Sequence, residues 1–106
     1  MDLPSAVNAY FKVDKGQDGD AMAQVFSTNA VVKDERSVHA GIEAIRAWWL
    51  AAKAKYHHVA EPIEMTRIGN RVSVRAEVSG RFPNSPAMLE FVFTLGSNKV
   101  TELEIR

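Results

Sequence analysis

The stretch Val72-Ser73-Val74-Arg75-Ala76-Glu77-Val78-Ser79 alternates apolar and polar residues from end to end. This period of two predicts a β-strand with one buried face and one polar face. Turn-forming residues flank the stretch, with Gly69-Asn70 before it and the segment 82–86, which contains two prolines, after it. We therefore expect hairpins to join this strand to a neighbour on each side.

Working outward, the same period continues to the end of the chain. Residues 88–95 and 100–105 also alternate, and no helical spacing occurs after about residue 55. The back half of the chain is therefore predicted to be a sheet. A shorter β-branched strand is predicted at 30–35, before a link that runs from Ser37 to Ala40.

The front half of the chain carries apolar residues at helical spacing. Helices are predicted at 4–14 and at about 42–55. A short helix between them is capped by Asp18 or Asp20 and ends near Ser27. Helices followed by hairpins predict an α+β fold, with three helices packed on one face of an antiparallel sheet.

Composition limits the classes of function. The 106 residues predict a single domain over 1–106, and 13 basic residues balance 13 acidic ones. Without a basic stripe, neither nucleic acid nor a membrane is an expected partner. The absence of cysteine excludes thiolate chemistry. No signal or membrane-spanning segment is recognisable, so a soluble, cytoplasmic protein is expected.

Several segments in this order resemble the SnoaL-like branch of the nuclear transport factor two-like superfamily. They are Tyr10-Phe11, Asp18-Gly19-Asp20, and the ranges 25–32, 40–45, 80–86 and 100–105. The resemblance implies a cone-shaped barrel, in which a strongly curved antiparallel sheet wraps the long helix and leaves a pocket open at one end. This superfamily includes ketosteroid isomerase, scytalone dehydratase, limonene epoxide hydrolase, polyketide cyclases and non-catalytic binding modules, so the fold alone does not select a function.

Asp34 is the first candidate catalytic residue. It shares a strand face with Ala30 and Val32, so its carboxylate is predicted to point into an apolar cavity, where it would act as a general base. The resemblance to ketosteroid isomerase implies the same role, because Asp34 falls where that enzyme carries its catalytic aspartate. One alternative is a solvated strand end, because residues 33–36 are all charged. The other is the opposite parity, in which Val31 and Lys33 form the inward face.

Tyr10 is the second candidate. It lies on the apolar face of the first helix, and the resemblance implies that it donates a hydrogen bond to a developing oxyanion. A core tyrosine is the alternative. The third group of ketosteroid isomerase, a protonated acid, has no counterpart, because its position becomes Leu89. The neighbouring Glu90 should point to the other face of the strand.

Histidines supply the remaining candidates for acid–base chemistry. His39 is predicted to line the cavity mouth beside Asp34 as an auxiliary acid or base, with a surface histidine as the alternative. His57 and His58 are adjacent in a predicted strand and point to opposite faces, so no metal site is predicted.

Large apolar side chains are the candidates for lining the pocket. Trp48 and Trp49 lie about 100° apart on their helix, so one, predicted to be Trp49, packs in the core while the other walls the pocket or covers a sheet edge. The full set of predicted ligand-binding residues is Trp48, Trp49, Met65, Phe82, Leu89 and Phe93, each with a plain core role as the alternative.

The outer face of the sheet is the predicted contact for a second copy of the chain. Arg75, Glu77 and Arg81 lie on this polar face, and the resemblance implies a homodimer there; a solvated face explains them equally well. The predicted function is binding of a small apolar molecule, with cofactor-independent isomerase, cyclase or dehydratase chemistry, or water activation as in an epoxide hydrolase. The competing hypothesis is a non-catalytic ligand-binding or dimeric interaction module.

Overall fold

A computed structural model describes all of residues 1–106, which form three helices and six strands. The helices are α1 (Ser5–Val13), α2 (Gly19–Val25) and α3 (Ile42–Tyr56). The strands are β1 (Phe26–Asp34), β2 (Ser37–Ala40), β3 (Val59–Ile68), β4 (Arg71–Ser79), β5 (Ala87–Gly96) and β6 (Lys99–Ile105). The α+β class predicted from the sequence is confirmed.

The helices follow the predicted pattern, with one difference at the end of α2. Asp18 is the N-cap of α2, because its side chain accepts hydrogen bonds from the backbone N–H groups of Asp20 and Ala21. The chain becomes extended at Phe26, four residues before the predicted strand, and Phe26 pairs with Val100 of β6. Strand pairing therefore ends α2 before Ser27, and β1 is longer than its β-branched residues alone indicate.

The sheet is mixed rather than antiparallel throughout. Its strand order is β2-β1-β6-β5-β4-β3, and β1 runs parallel to β6. The prediction of an antiparallel sheet is wrong at this one pairing, because periodicity reports which residues face inward but not the direction of the neighbouring strand. The terminal strands β2 and β3 are not paired with each other, so the sheet is open and does not close into a barrel.

The predicted link from Ser37 to Ala40 is the edge strand β2, which pairs with β1. Glu35 and Arg36 between the two strands have φ values of 51° and 66°. Positive φ at both central residues is typical of a two-residue hairpin turn, and the four-residue strand after it is too short to show a clear period. This turn fixes the end of β1, where Asp34 lies.

The core lies between the three helices and the inner face of the sheet. The four inward residues of β4 are buried as predicted: Val72, Val74, Ala76 and Val78. Aromatic rings from α1 pack edge-on against rings of β5, with Tyr10 and Phe93 centroids 5.4 Å apart. None of the three helices has the length and hydrophobicity of a transmembrane span.

Candidate active site

A cavity of about 300 Å³ opens between α1, α3 and the ends of several strands. Most of its lining is apolar, from residues that include Trp48, Val78, Phe82, Leu89, Phe91 and Ile105. The side chains with polar groups among its lining residues are those of Tyr10, Asp14, Asp34, Glu35, Tyr56 and His58. An apolar pocket with a small number of polar groups is typical of a site that binds a small molecule.

Asp34 reaches the cavity from the last position of β1. Ala30 and Val32 on the same face are fully buried, whereas Lys33 on the opposite face is exposed. Inward alternation therefore gives Asp34 the orientation that the sequence predicts. Its Oδ2 atom accepts a hydrogen bond of 3.1 Å from Nε1 of Trp48, which holds the carboxylate against the cavity wall.

Tyr10 reaches the same cavity from α1 and is only 2% exposed. Burial, together with the nearby charges of Asp14 and then Asp34, raises the pKa of its phenol well above the usual value. Tyr10 therefore keeps its proton at neutral pH and is available as a hydrogen-bond donor. Tyr10, Asp14 and Asp34 all line this one cavity.

Asp14 forms a second polar cluster in the cavity wall and is 1% exposed. Its Oδ1 atom accepts a hydrogen bond of 2.8 Å from Nε1 of Trp49 and lies 3.2 Å from Nε2 of His58. The ammonium of Lys53 is 3.7 Å from the same oxygen, whereas Oδ2 has no hydrogen-bond partner.

Burial acting alone would raise the pKa of Asp14. The hydrogen bonds from His58 and Trp49, together with the charges of His58 and Lys53, outweigh that effect and lower the pKa. Asp14 is therefore a carboxylate at neutral pH. The adjacent tryptophans of α3 thus each hold one carboxylate of the cavity, Trp48 holding Asp34 and Trp49 holding Asp14.

The backbone around His58 is fixed by two close contacts. Lys53 donates hydrogen bonds to the carbonyls of Asp14 and His58, which joins the end of α1 to the start of β3. A Cβ at Gly80 would lie 2.6 Å from the carbonyl oxygen of Tyr56 and 3.0 Å from Cα of His58. The sequence therefore needs a glycine where β4 ends, so that the segment carrying His58 can pack this closely.

Five predicted site residues line the cavity, and four do not. Those that line it are Tyr10, Asp34, Trp48, Phe82 and Leu89. Trp49 is fully buried in the core, as predicted for one of the two tryptophans. Phe93 is also fully buried there, and neither side chain lines the cavity, so the predicted set of ligand-binding residues is too wide by these two. Met65 packs against the core from β3 and does not reach the cavity.

His39 is also outside the cavity lining. Its ring lies against Trp48, with the two ring centroids 5.8 Å apart, because β2 places it beside the outer part of α3. The structure therefore does not place His39 in the cavity lining beside Asp34, where the sequence analysis expects it. Glu90 lies on the outer face of the sheet, where it accepts a hydrogen bond from Ser73.

Asp14 and His58 are two polar cavity residues that the sequence reasoning missed. Asp14 occupies an apolar helical position with Val7, Tyr10 and Phe11, and a carboxylate at such a position is a signal of a buried, partnered charge. His58 gives no comparable signal. His57 caps α3 with φ of 48° and is exposed. Neither histidine lies in a strand, because β3 begins at Val59, so the prediction that they are strand neighbours is wrong. No group of three His, Asp or Glu side chains is arranged to hold a metal ion.

Proteins of known structure share this arrangement of helices and sheet. A Sinorhizobium meliloti protein, provisionally named a polyketide cyclase, has a TM-score of 0.97 and 48% identity over 100% of this chain and 97% of its own. SalBIII, an epoxide hydrolase/cyclase-like enzyme in pyran ring formation in the polyether salinomycin, has a TM-score of 0.82 and 23% identity over 94% of this chain and 85% of its own.

A hypothetical protein of ketosteroid isomerase-like fold from Catenulispora acidiphila, solved with trimethylamine, has a TM-score of 0.87. It is 17% identical over 99% of this chain and 86% of its own. The sequence identities of the Catenulispora acidiphila protein and of SalBIII are too low to show more than a shared fold. No curated protein matches the sequence.

The fold is therefore that of the nuclear transport factor two-like, ketosteroid isomerase-like class. A profile of the SnoaL-like domain matches residues 7–99, and the chain belongs to this family. The resemblance found in the sequence is confirmed.

Proposed function

We propose that the protein binds a small, mostly apolar carbonyl compound and transfers a proton at the carbon next to the carbonyl. The observation that carries this proposal is that the Asp34 carboxylate and the Tyr10 phenol line one cavity whose remaining walls are mainly apolar. A base and a neutral donor in an apolar site are the minimum needed to form and stabilise an enolate. The Sinorhizobium meliloti relative is provisionally named a polyketide cyclase, and that name supports chemistry of this class.

In the proposed reaction, Asp34 removes the proton from the α-carbon. The electrons of that C–H bond pass to the carbonyl oxygen, which accepts a hydrogen bond from Tyr10. Because Tyr10 is held neutral, it can donate this bond without first being protonated. The enolate is then available for isomerisation, ring closure or loss of a leaving group. The hydrogen bond from Trp48 orients Asp34 for this step.

The cavity volume limits the substrate. Ligand pockets commonly enclose about 300–1,000 Å³, and a volume of about 300 Å³ is at the small end of that range. A monocyclic or small bicyclic compound fits this space. The rim carries the exposed residues Glu35 and Pro83, so the reacting end of the substrate is expected to be the end placed deepest.

Hydrogen–deuterium exchange tests the proposal without knowledge of the natural substrate. Cyclohexanone is incubated with the protein in heavy water, and loss of its α-hydrogen signal is followed by NMR. Asp34→Asn is expected to slow the exchange by roughly 10²–10⁴-fold, and Tyr10→Phe by roughly 10²–10³-fold. The matched control is Asp20→Asn, because Asp20 is an exposed carboxylate far from the cavity lining.

Exchange no faster than in an equal concentration of acetate would contradict the proposal. The protein would then be better described as a binding or interaction module.

A further inference from the structure

The Asp14–His58 pair is not used by the proton abstraction described above, although both residues line the same cavity. The His58 side chain is 16% exposed, and its Nε2 atom is 3.2 Å from Oδ1 of a nearly inaccessible carboxylate. An imidazole in this position is neither a solvated surface group nor a fully buried core group. Its Nε2 atom is held by the Asp14 carboxylate, and the side chain also forms part of the cavity lining.

The contact with Asp14 determines which ring nitrogen is available. A carboxylate accepts a hydrogen bond, so Nε2 of His58 carries the proton that points to Asp14, and Nδ1 is the nitrogen free for a ligand. Asp14 is itself held by Trp49. When both ring nitrogens carry hydrogen, Nδ1 holds a proton that it can give to a leaving group.

We propose that His58 is a second catalytic residue, the general acid, and that the substrate is a small β-hydroxy carbonyl compound from which water is eliminated. This inference rests on the proposed function, because it takes Asp34 as the base and Tyr10 as the oxyanion donor. Isomerisation needs only those two residues. Elimination also needs an acid at the leaving oxygen, and the structure supplies one in the same cavity.

The elimination balances without any other reactant. Asp34 takes the α-proton, and the enolate oxygen accepts the hydrogen bond of Tyr10. The enolate electrons then form the carbon–carbon double bond as the bond from the β-carbon to its hydroxyl breaks. The leaving hydroxyl takes the proton from Nδ1 of His58 and departs as water. Asp34 is left protonated and His58 neutral, and transfer of one proton from Asp34 to His58 through solvent restores both.

Two reactions on related probes test this assignment. Exchange of the α-hydrogens of cyclohexanone needs Asp34 and Tyr10, whereas conversion of β-hydroxycyclohexanone to cyclohexenone, followed by ultraviolet absorbance, also needs His58. In His58→Gln the amide can still donate a hydrogen bond to Asp14 but cannot act as an acid. We expect this variant to slow elimination by roughly 10²–10⁴-fold. Its effect on the exchange rate is expected to be smaller by a factor of at least about ten. The control His57→Asn changes the exposed neighbouring histidine.

Asp14 is assigned as a positioning residue, and its test is spectroscopic. Nitrogen NMR of the His58 ring in the wild-type protein is expected to show the tautomer with hydrogen on Nε2. Asp14→Asn is expected to change that tautomer population and to slow elimination more than exchange. This readout does not depend on the folding of any His58 variant.

Each outcome bears on one proposal. Exchange without elimination by the wild-type protein, equal losses of both rates in His58→Gln, or an Nδ1–H tautomer in the wild type would overturn the role of His58 alone. No exchange by the wild type would overturn the proposed function, and the role of His58 with it.

Discussion

Replacing Asp14 by alanine is expected to destabilise the fold strongly. The carboxylate is 1% exposed and is the acceptor for Trp49, the partner of His58 and the nearest negative charge to Lys53. Alanine would leave a buried indole N–H without an acceptor. It would also leave the ammonium of Lys53, whose side chain is 10% exposed, without a counter-charge.

The size of the effect follows from these contacts. Removing one partner of a buried ion pair costs about 3–5 kcal/mol, because the remaining charge stays desolvated. A domain of this size is stable by only about 5–15 kcal/mol, so Asp14→Ala removes a large part of the total. Asp14→Asn keeps an acceptor for Trp49 and loses only the charge, so a smaller cost of roughly 1–3 kcal/mol is expected.

Urea unfolding followed by circular dichroism measures both variants. Asp20→Ala is the matched control, because Asp20 pairs with Arg46 at the surface with its side chain 82% exposed, and surface pairs contribute about 0–1 kcal/mol. A loss below about 1 kcal/mol for Asp14→Ala would refute the reasoning. It would mean that the Asp14 cluster is not a buried, mutually dependent group.

Three further predictions concern pH, packing and assembly. Burial raises the pKa of Tyr10, so the folded state holds the phenol proton more tightly than the unfolded chain does. The resulting stabilisation is complete below the unfolded-state pKa of about 10. It is lost as the pH rises through the higher pKa of the folded state. Urea unfolding at increasing alkaline pH should therefore show a loss of stability that Tyr10→Phe reduces, and identical profiles would contradict this. Gly80→Ala forces a Cβ to 2.6 Å from a backbone carbonyl and should cost about 1–3 kcal/mol in thermal or urea unfolding, whereas Gly16→Ala, with its nearest contact at 3.7 Å, should not. We also propose that two chains pair through the outer face of the sheet, where the apolar side chain of Met88 is 47% exposed. Analytical ultracentrifugation should show a dimer that Met88→Lys weakens. A wild-type protein that is monomeric at all concentrations would contradict this proposal.

The inward alternation of the strands is the part of this structure that the sequence predicts best. Every residue of β4 faces as its period of two indicates, and the same rule places Asp34 with Ala30 and Val32. Alternation is a local property of an extended chain. It therefore survives whatever the strand pairs with, and the candidate base could be found from it.

The arrangements that were not predicted depend on contacts between distant parts of the chain. The parallel pairing of β1 with β6 joins the front and the back of the sequence, and no local pattern encodes it. The contact of Asp14 with His58 spans 44 residues and needs the close approach at Gly80 as well as the bridge from Lys53. The place of His39 also depends on a contact between elements, since its ring lies against that of Trp48 and outside the cavity lining.

The central claim is that Asp34 and Tyr10 act on one ligand in one cavity. A crystal structure with a naphthol, whose hydroxyl-bearing ring resembles an enol, tests it most directly. The account predicts the naphthol oxygen within roughly 2.6–3.2 Å of the Tyr10 hydroxyl and the ring beside the Asp34 carboxylate. A naphthol bound elsewhere, or bound in the cavity with its oxygen turned away from Tyr10, would contradict it.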